Sequence, residues 1–175
     1  MRNFFERSPV KPEMTIDKKY LVLSLHDVCI GPMFKALLRH ELFTNDRHQR
    51  MIVVSSAGVI MTSKRRQPPT LAVHCLNKIA RGLGNSISCD RARPYTQANM
   101  SEVDVVICLE TEVMNIARKE ATKPGVKIIC VNAERGGIRS PMHPRPQDDT
   151  FDEYSKTISF MREHIRKEII AEKPV

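Results

Sequence analysis

Four short runs rich in Val, Ile and Leu, separated by longer amphipathic stretches, constrain the fold more than any other feature of this sequence. The runs are Tyr20–Leu25, Met51–Ser56, Val103–Leu109 and Val126–Val131. Such near-continuous apolar runs are typical of strands buried on both faces, as in parallel sheets. Parallel strands need crossover connections, which the amphipathic stretches can supply as helices. We therefore predict a single doubly wound α/β domain, with a parallel sheet flanked by helices.

Four helices are predicted from the remaining pattern. One opens at Pro32, because proline is tolerated in the first turn of a helix. Two more cover about Thr70–Leu83 and about Glu110–Ala121. The last covers roughly Phe151–Ile170, where an apolar stripe recurs at helical spacing and predicts a core-facing side. The stripe consists of Tyr154, Ile158, Met161, Ile165 and Ile169.

The composition agrees with one globular domain. Of the 175 residues, 41% are hydrophobic, which is enough to build a core, and no apolar run reaches the length of a membrane span. Residues 1–18 are predicted to be a flexible N-terminal extension, so the domain covers 19–175. The N-terminus lacks the apolar core of a secretory signal, and we therefore expect a cytoplasmic protein without a membrane role.

Cysteine content and net charge limit the kinds of site and partner. The five cysteines are an odd number at irregular spacing without a C-x-x-C pair, so neither a disulfide framework nor a metal site is expected, and no cofactor is implied. The net charge of +8 suits an acidic or phosphorylated protein partner, or simply a solvated surface. Nucleic acid is the minor alternative, because basic and aromatic residues are not interleaved.

The loop after the first strand is the expected ligand site. In open α/β sheets, ligands bind beyond the carboxyl ends of the strands. In this chain that loop contains six residues before Pro32 opens the helix: His26, Asp27, Val28, Cys29, Ile30 and Gly31.

Several stretches, in order along the chain, carry a family resemblance. They are Val22–Leu25 with Cys29–Met33 and Ala36–Arg39, then Val54–Gly58, Gln67–Pro69, Asp90–Thr96 and Asp104–Leu109. Together they resemble the low-molecular-weight protein tyrosine phosphatase family, which also contains arginine phosphatases and arsenate reductases. The resemblance covers about residues 19–170 and implies a four-stranded parallel sheet of order 2-1-3-4.

The same resemblance implies that the family's chemistry is missing. In the family, a Cys after the first strand begins a Cys-x-x-x-x-x-Arg loop, and a late Asp-Pro pair supplies the acid. Here His26 is expected at the nucleophile position, Ile30 at the arginine position, and His143 at the acid position. The loop is also expected to be two residues shorter, with the negative charge of Asp27 opposing phosphate.

Other residues offer weaker alternatives. Cys29 is a fallback nucleophile near a helix N-terminus, but a loop thiol packed against the sheet is the favoured interpretation. Five cations are candidate contacts for an anion or a partner: Lys64, Arg65, Arg66, Arg91 and Arg93.

The leading functional hypothesis is a catalytically inactive phosphatase homologue that acts through protein interaction or regulation. A weak or atypical phosphotyrosine phosphatase that uses Cys29 is the enzymatic alternative. Binding of anions or nucleic acid through the basic surface is a third alternative. A protein partner is expected, and formation of a homo-oligomer remains open.

Overall fold

A four-stranded, all-parallel sheet forms the centre of the protein, with the second strand at one edge, followed by the first, third and fourth. The computed structural model describes residues 16–45, 51–60, 67–96, 100–121, 123–142 and 144–171. The strands are β1 (Ile16–Ser24), β2 (Met51–Gly58), β3 (Val105–Cys108) and β4 (Lys127–Cys130). The predicted α/β class and the strand order implied by the resemblance are confirmed.

Helices connect the strands, as parallel pairing requires. They are α1 (Ile30–Asn45), α2 (Thr70–Ile79), α3 (Asn85–Ser88), α4 (Thr111–Glu120) and α5 (Phe151–His164). A π-helical segment, Ile165–Ile170, continues α5, and short 3₁₀ turns cover Ala133–Arg135 and Pro146–Asp148. No helix in the described ranges is both long and apolar enough to cross a bilayer.

Side chains that alternate along β1 divide the core into two layers. Tyr20 and Val22 belong to the cluster that packs with α1, α2 and α5. Leu21 and Leu23 belong to a second cluster, which packs with α4 on the opposite face. Successive residues of a strand point to opposite faces, so a strand covered on both sides must be apolar throughout. This arrangement explains the continuous apolar runs in the sequence.

Several predicted boundaries differ from the structure by a few residues. β1 begins at Ile16, so residues 16–18, which we expected in the extension, belong to the sheet. α2 ends at Ile79 rather than near Leu83, because Ala80 has an extended backbone conformation. The chain then turns through Gly82, whose φ of +83° favours glycine.

A buried carboxylate ties α1 to the end of the chain. Glu41 is 1% exposed and accepts hydrogen bonds from Arg162 Nε at 2.8 Å and from Arg166 Nε at 2.8 Å. Burial alone would raise the pKa of Glu41, but the two arginines hold that pKa below its ordinary value. The interaction fixes α5 and its continuation against α1.

Candidate functional site

The loop Leu25–Cys29 joins β1 to α1 at the carboxyl end of the sheet, where ligands bind in this kind of fold. The N–H of Leu25 leaves the strand ladder and donates to both carboxylate oxygens of Glu110, at 3.3 Å each. Burial raises the pKa of Glu110 to about 7; the Leu25 hydrogen bond lowers it and the neighbouring Glu112 raises it further. A carboxyl group that titrates near neutrality therefore supports the start of the loop.

Asp27 places a second carboxyl group inside the loop. Its side chain is 3% exposed, and its Oδ2 accepts the backbone N–H of Arg93 at 3.3 Å. Burial raises the pKa of Asp27 to about 6, while hydrogen bonds from Ser56 and the Arg93 N–H and the charge of Lys35 lower it. The cost of burial outweighs these three favourable contacts.

The carboxyl of Asp27 and the hydroxyl of Ser24 converge on Gly31 at the start of α1. A Cβ at Gly31 would lie 2.5 Å from Asp27 Oδ1 and 2.9 Å from Ser24 Oγ. Neither of these two oxygens has a hydrogen-bond partner among the residues that the structure describes. Only glycine therefore fits beside the Asp27 carboxyl at this position of α1.

The three other apolar side chains of the predicted loop, Val28, Cys29 and Ile30, are buried. Cys29 is 2% exposed, and its Sγ lies 3.7 Å from Met33 Sδ and interacts with Tyr154 in the core. Ile30 is 4% exposed and belongs to the same apolar cluster, and Val28 is also buried. These placements are those of packing residues.

His26 is held by the backbone. Its Nδ1 lies 3.1 Å from the carbonyl oxygen of Ile60. Because a carbonyl only accepts, Nδ1 carries the proton and donates it. This agrees with the interpretation of His26 as a loop histidine bonded to the backbone.

Of the five candidate cations, the structure describes Arg91 and Arg93. Both have exposed side chains that form no ion pair with any described residue. Arg93 contacts the site through its backbone: its N–H donates to Asp27 Oδ2, and its carbonyl oxygen accepts the N–H of Gly58 at 2.8 Å. Lys35 pairs with Asp90. Lys64, Arg65, Arg66 and His143 lie outside the described residues.

Comparison with known proteins gives one family. The model of the low molecular weight phosphotyrosine protein phosphatase family matches residues 20–171. The chain belongs to this family. A comparison with curated proteins found no match.

Solved structures of the family share the fold at low sequence identity. A low molecular weight protein tyrosine phosphatase from T. tengcongensis has a TM-score of 0.68 at 18% identity, covering 89% of this chain and 99% of its own. A mutant of YwlE from Bacillus subtilis has a TM-score of 0.65 at 18% identity, and the match covers 86% of this chain and 95% of YwlE. A YwlE arginine phosphatase mutant with a phosphorylated active site serine has a TM-score of 0.64 at 20% identity, and the match covers 89% of this chain and 97% of that one.

Family membership and the end of β1 bear on the expected loop register. The N–H of Leu25 donates to Glu110 instead of a neighbouring strand, so β1 ends at Ser24. Five residues separate Ser24 from Ile30. The family motif also places five residues between Cys and Arg. The predicted two-residue deletion, with His26 at the nucleophile position, rested on a strand that ends at Leu25. With β1 ending at Ser24, the spacing of the motif instead favours Ser24 for that position.

Sequence reasoning missed the buried polar residues around the loop. Ser24 was assigned to the strand interior, and Glu110 to the start of a helix, with no functional role for either. A count of residues backward from Gly31-Pro32 would have found Ser24. Nothing local in the sequence connects Glu110 to Leu25, which lies 85 residues earlier.

Proposed function

We propose that this chain is a non-catalytic member of the family that acts through protein interaction or regulation. The observation that supports it is the Asp27 carboxyl, which lies buried within the loop against Gly31 and Ser24. In the family, this loop and the helix behind it hold the phosphate of the substrate. Here a carboxyl group of the same negative sign lies buried within that loop.

Electrostatics makes the loop a poor phosphate site. With a pKa of about 6, Asp27 is mostly ionised at neutral pH. Two unit charges of like sign about 4 Å apart repel by about 4 kcal/mol at an effective dielectric constant near 20. A phosphoryl group carries more than one negative charge, so its binding would first require protonation or displacement of Asp27.

The groups needed for phosphoryl transfer are also absent from their positions. Ser24 offers a hydroxyl, which is a weak nucleophile without a base, and its Oγ has no hydrogen-bond partner in the described part of the chain. Ile30 supplies no donors at the arginine position, and loss of such an arginine costs about 10³ to 10⁵ in rate in other phosphoryl-transfer enzymes. The fallback thiol of Cys29 faces the core.

A phosphatase assay at high protein concentration tests the proposal. We expect no hydrolysis of p-nitrophenyl phosphate above background by the wild-type protein, by Cys29→Ser or by Ser24→Ala. Turnover that disappears in Cys29→Ser would establish the enzymatic alternative through that thiol. Because one solved relative has a phosphorylated active site serine in mutant form, mass spectrometry should also look for phosphate on Ser24. Stable phosphorylation there would contradict the proposal.

Rebuilding the motif gives a complementary test. We expect the combined change Ser24→Cys, Asp27→Asn and Ile30→Arg, with Gly31 kept because a Cβ there would lie 2.5 Å from the side chain of residue 27, to restore binding of orthovanadate, a phosphate analogue. The matched control keeps Asp27 and carries the other two changes. Equal vanadate affinity with and without the Asp27 carboxylate would show that this group does not close the loop to anions.

A further inference from the structure

An open groove lies beside the second half of α1, whereas the loop lies at the N-terminal end of that helix. The groove has a volume of about 610 Å³ and is bounded by α1, the first half of β2 and the turn after α2. β2 is an edge strand, so the groove is open along one side of the sheet.

The floor of the groove is apolar and only partly covered. Leu42, Ile52 and Leu83 pack against the core while remaining accessible from the groove. At the rim, Phe43 is 80% exposed, the highest value among the exposed large hydrophobic residues of the described chain. Exposed apolar surface bordered by polar residues marks interaction sites more often than isolated exposed side chains do.

The described part of the rim is basic. Arg39, His40 and Arg81 line the groove, and no acidic residue of the described ranges does. Neither arginine forms an ion pair with any residue that the structure describes. Arginines commonly anchor interfaces, because the guanidinium group binds carboxylates through two parallel hydrogen bonds.

Two occupants from this chain itself are disfavoured by charge. Residues 1–15 carry three basic and two acidic side chains, so that segment does not neutralise the rim. A second copy brings another net charge of +8 to a basic surface. Like charges across an interface oppose association.

We propose that this groove binds an acidic segment of a partner protein that inserts apolar side chains onto its floor. The inference rests on the proposed non-catalytic function only for its expectation of a protein partner. Carboxylates of the segment would pair with Arg39 and Arg81, and its apolar side chains would cover Leu42, Ile52 and Leu83. The loop that contains Asp27 takes no part in this contact.

A fluorescein-labelled peptide, Asp-Glu-Leu-Phe-Glu-Asp, is the probe for a polarisation titration with the full chain. We expect saturable binding that weakens as salt rises, because exposed charge pairs are screened. Arg39→Glu with Arg81→Glu should weaken binding about tenfold or more. The matched control, Arg118→Glu with Lys119→Glu on α4, makes the same change in net charge on the opposite face and should leave affinity within about twofold.

Two further measurements distinguish apolar insertion into the groove from binding by charge alone. A peptide with Ser in place of Leu and Phe should bind at least about tenfold more weakly, since one well-buried apolar side chain contributes about 1.5–3 kcal/mol. In NMR spectra, the methyl resonances of Leu42, Ile52 and Leu83 should shift when the probe is added. Absence of saturable binding, or equal losses in the two double variants, would overturn the proposal.

Three outcomes would assign the groove to a different occupant and would also overturn the proposal of an acidic partner segment. These are tighter binding of the probe after deletion of residues 1–15, concentration-dependent self-association abolished by the Arg39 and Arg81 changes, and binding of phosphatidylserine vesicles or an oligonucleotide in preference to the peptide. Phosphatase turnover is measured separately, so failure of the groove proposal and failure of the proposed function give different results.

Discussion

Replacing Asp27 with Asn should stabilise the protein at neutral pH, although it removes a native side chain. Burial raises the pKa of Asp27 from 3.8 to about 6. The folded state therefore holds this proton more tightly than the unfolded chain does. The stability from this group is fully present below pH 3.8 and is lost as the pH rises to about 6.

The size of the effect follows from the pKa difference. A difference of about two units, at about 1.4 kcal/mol for each, corresponds to about 3 kcal/mol. Asparagine keeps the shape of the side chain, and its Oδ1 can accept the Arg93 N–H, but it carries no charge. We expect Asp27→Asn to be more stable than the wild-type protein by about 1–3 kcal/mol at pH 7.5, with little difference at pH 4.

Urea denaturation followed by far-ultraviolet circular dichroism between pH 4 and 8 measures this difference. The comparison with wild type also cancels the separate contribution of Glu110, whose pKa is raised to about 7. Asp148→Asn, at an exposed carboxylate, controls for the change in net charge. A gain that is equal at pH 4 and pH 7.5, or a loss at pH 7.5, would refute the argument that Asp27 is buried at an electrostatic cost.

Three further predictions concern packing and pairing. Gly31→Ser should destabilise the wild-type protein by about 1–3 kcal/mol, because its Cβ would lie 2.5 Å from Asp27 Oδ1. The same change should cost much less stability in an Asp27→Ala background. Equal losses of stability in thermal unfolding of the two backgrounds would contradict that contact. Gly137→Ala should lower the free energy of unfolding by about 2 kcal/mol or more, because φ is +100° and the new Cβ would lie 2.3 Å from a backbone oxygen. Gly125→Ala, at φ +80° in open space, should lower it by only about 1 kcal/mol. Similar melting temperatures for the two variants would count against the close approach at Gly137. Glu41→Gln should lower the free energy of unfolding by about 1–3 kcal/mol at pH 7. This difference from wild type should vanish as the pH falls through the lowered pKa of Glu41. A difference in urea denaturation that does not change with pH would argue against the charge-assisted pairing with the two arginines.

Local patterns were sufficient to predict the scaffold. Short continuous apolar runs are typical of strands covered on both faces, and the stripe from Tyr154 to Ile165 at helical spacing indicates a core-facing side. Both patterns report how a residue is buried, which depends on periodicity along the chain. For the same reason the positions of the strands and helices were predicted to within a few residues.

Partners distant in sequence could not be predicted in this way. The contacts of Glu41 with two arginines span more than 120 positions, and Glu110 reaches back 85 positions to Leu25. Periodicity shows that a side chain is buried without showing which groups meet it. The difference in the loop register has this origin, because Leu25 is apolar enough to look like strand while its N–H bonds to Glu110.

The sequence by itself determined the doubly wound parallel sheet, the family resemblance and the presence of Asp27 and Ile30 in the loop after the first strand. Only the tertiary structure decided that β1 ends at Ser24, that the Asp27 carboxyl lies against Gly31, and that Cys29 faces the core. The physical reason is that secondary structure follows from the order of apolar and polar residues, whereas the chemistry of a site depends on which buried groups the fold brings within a few ångströms of one another.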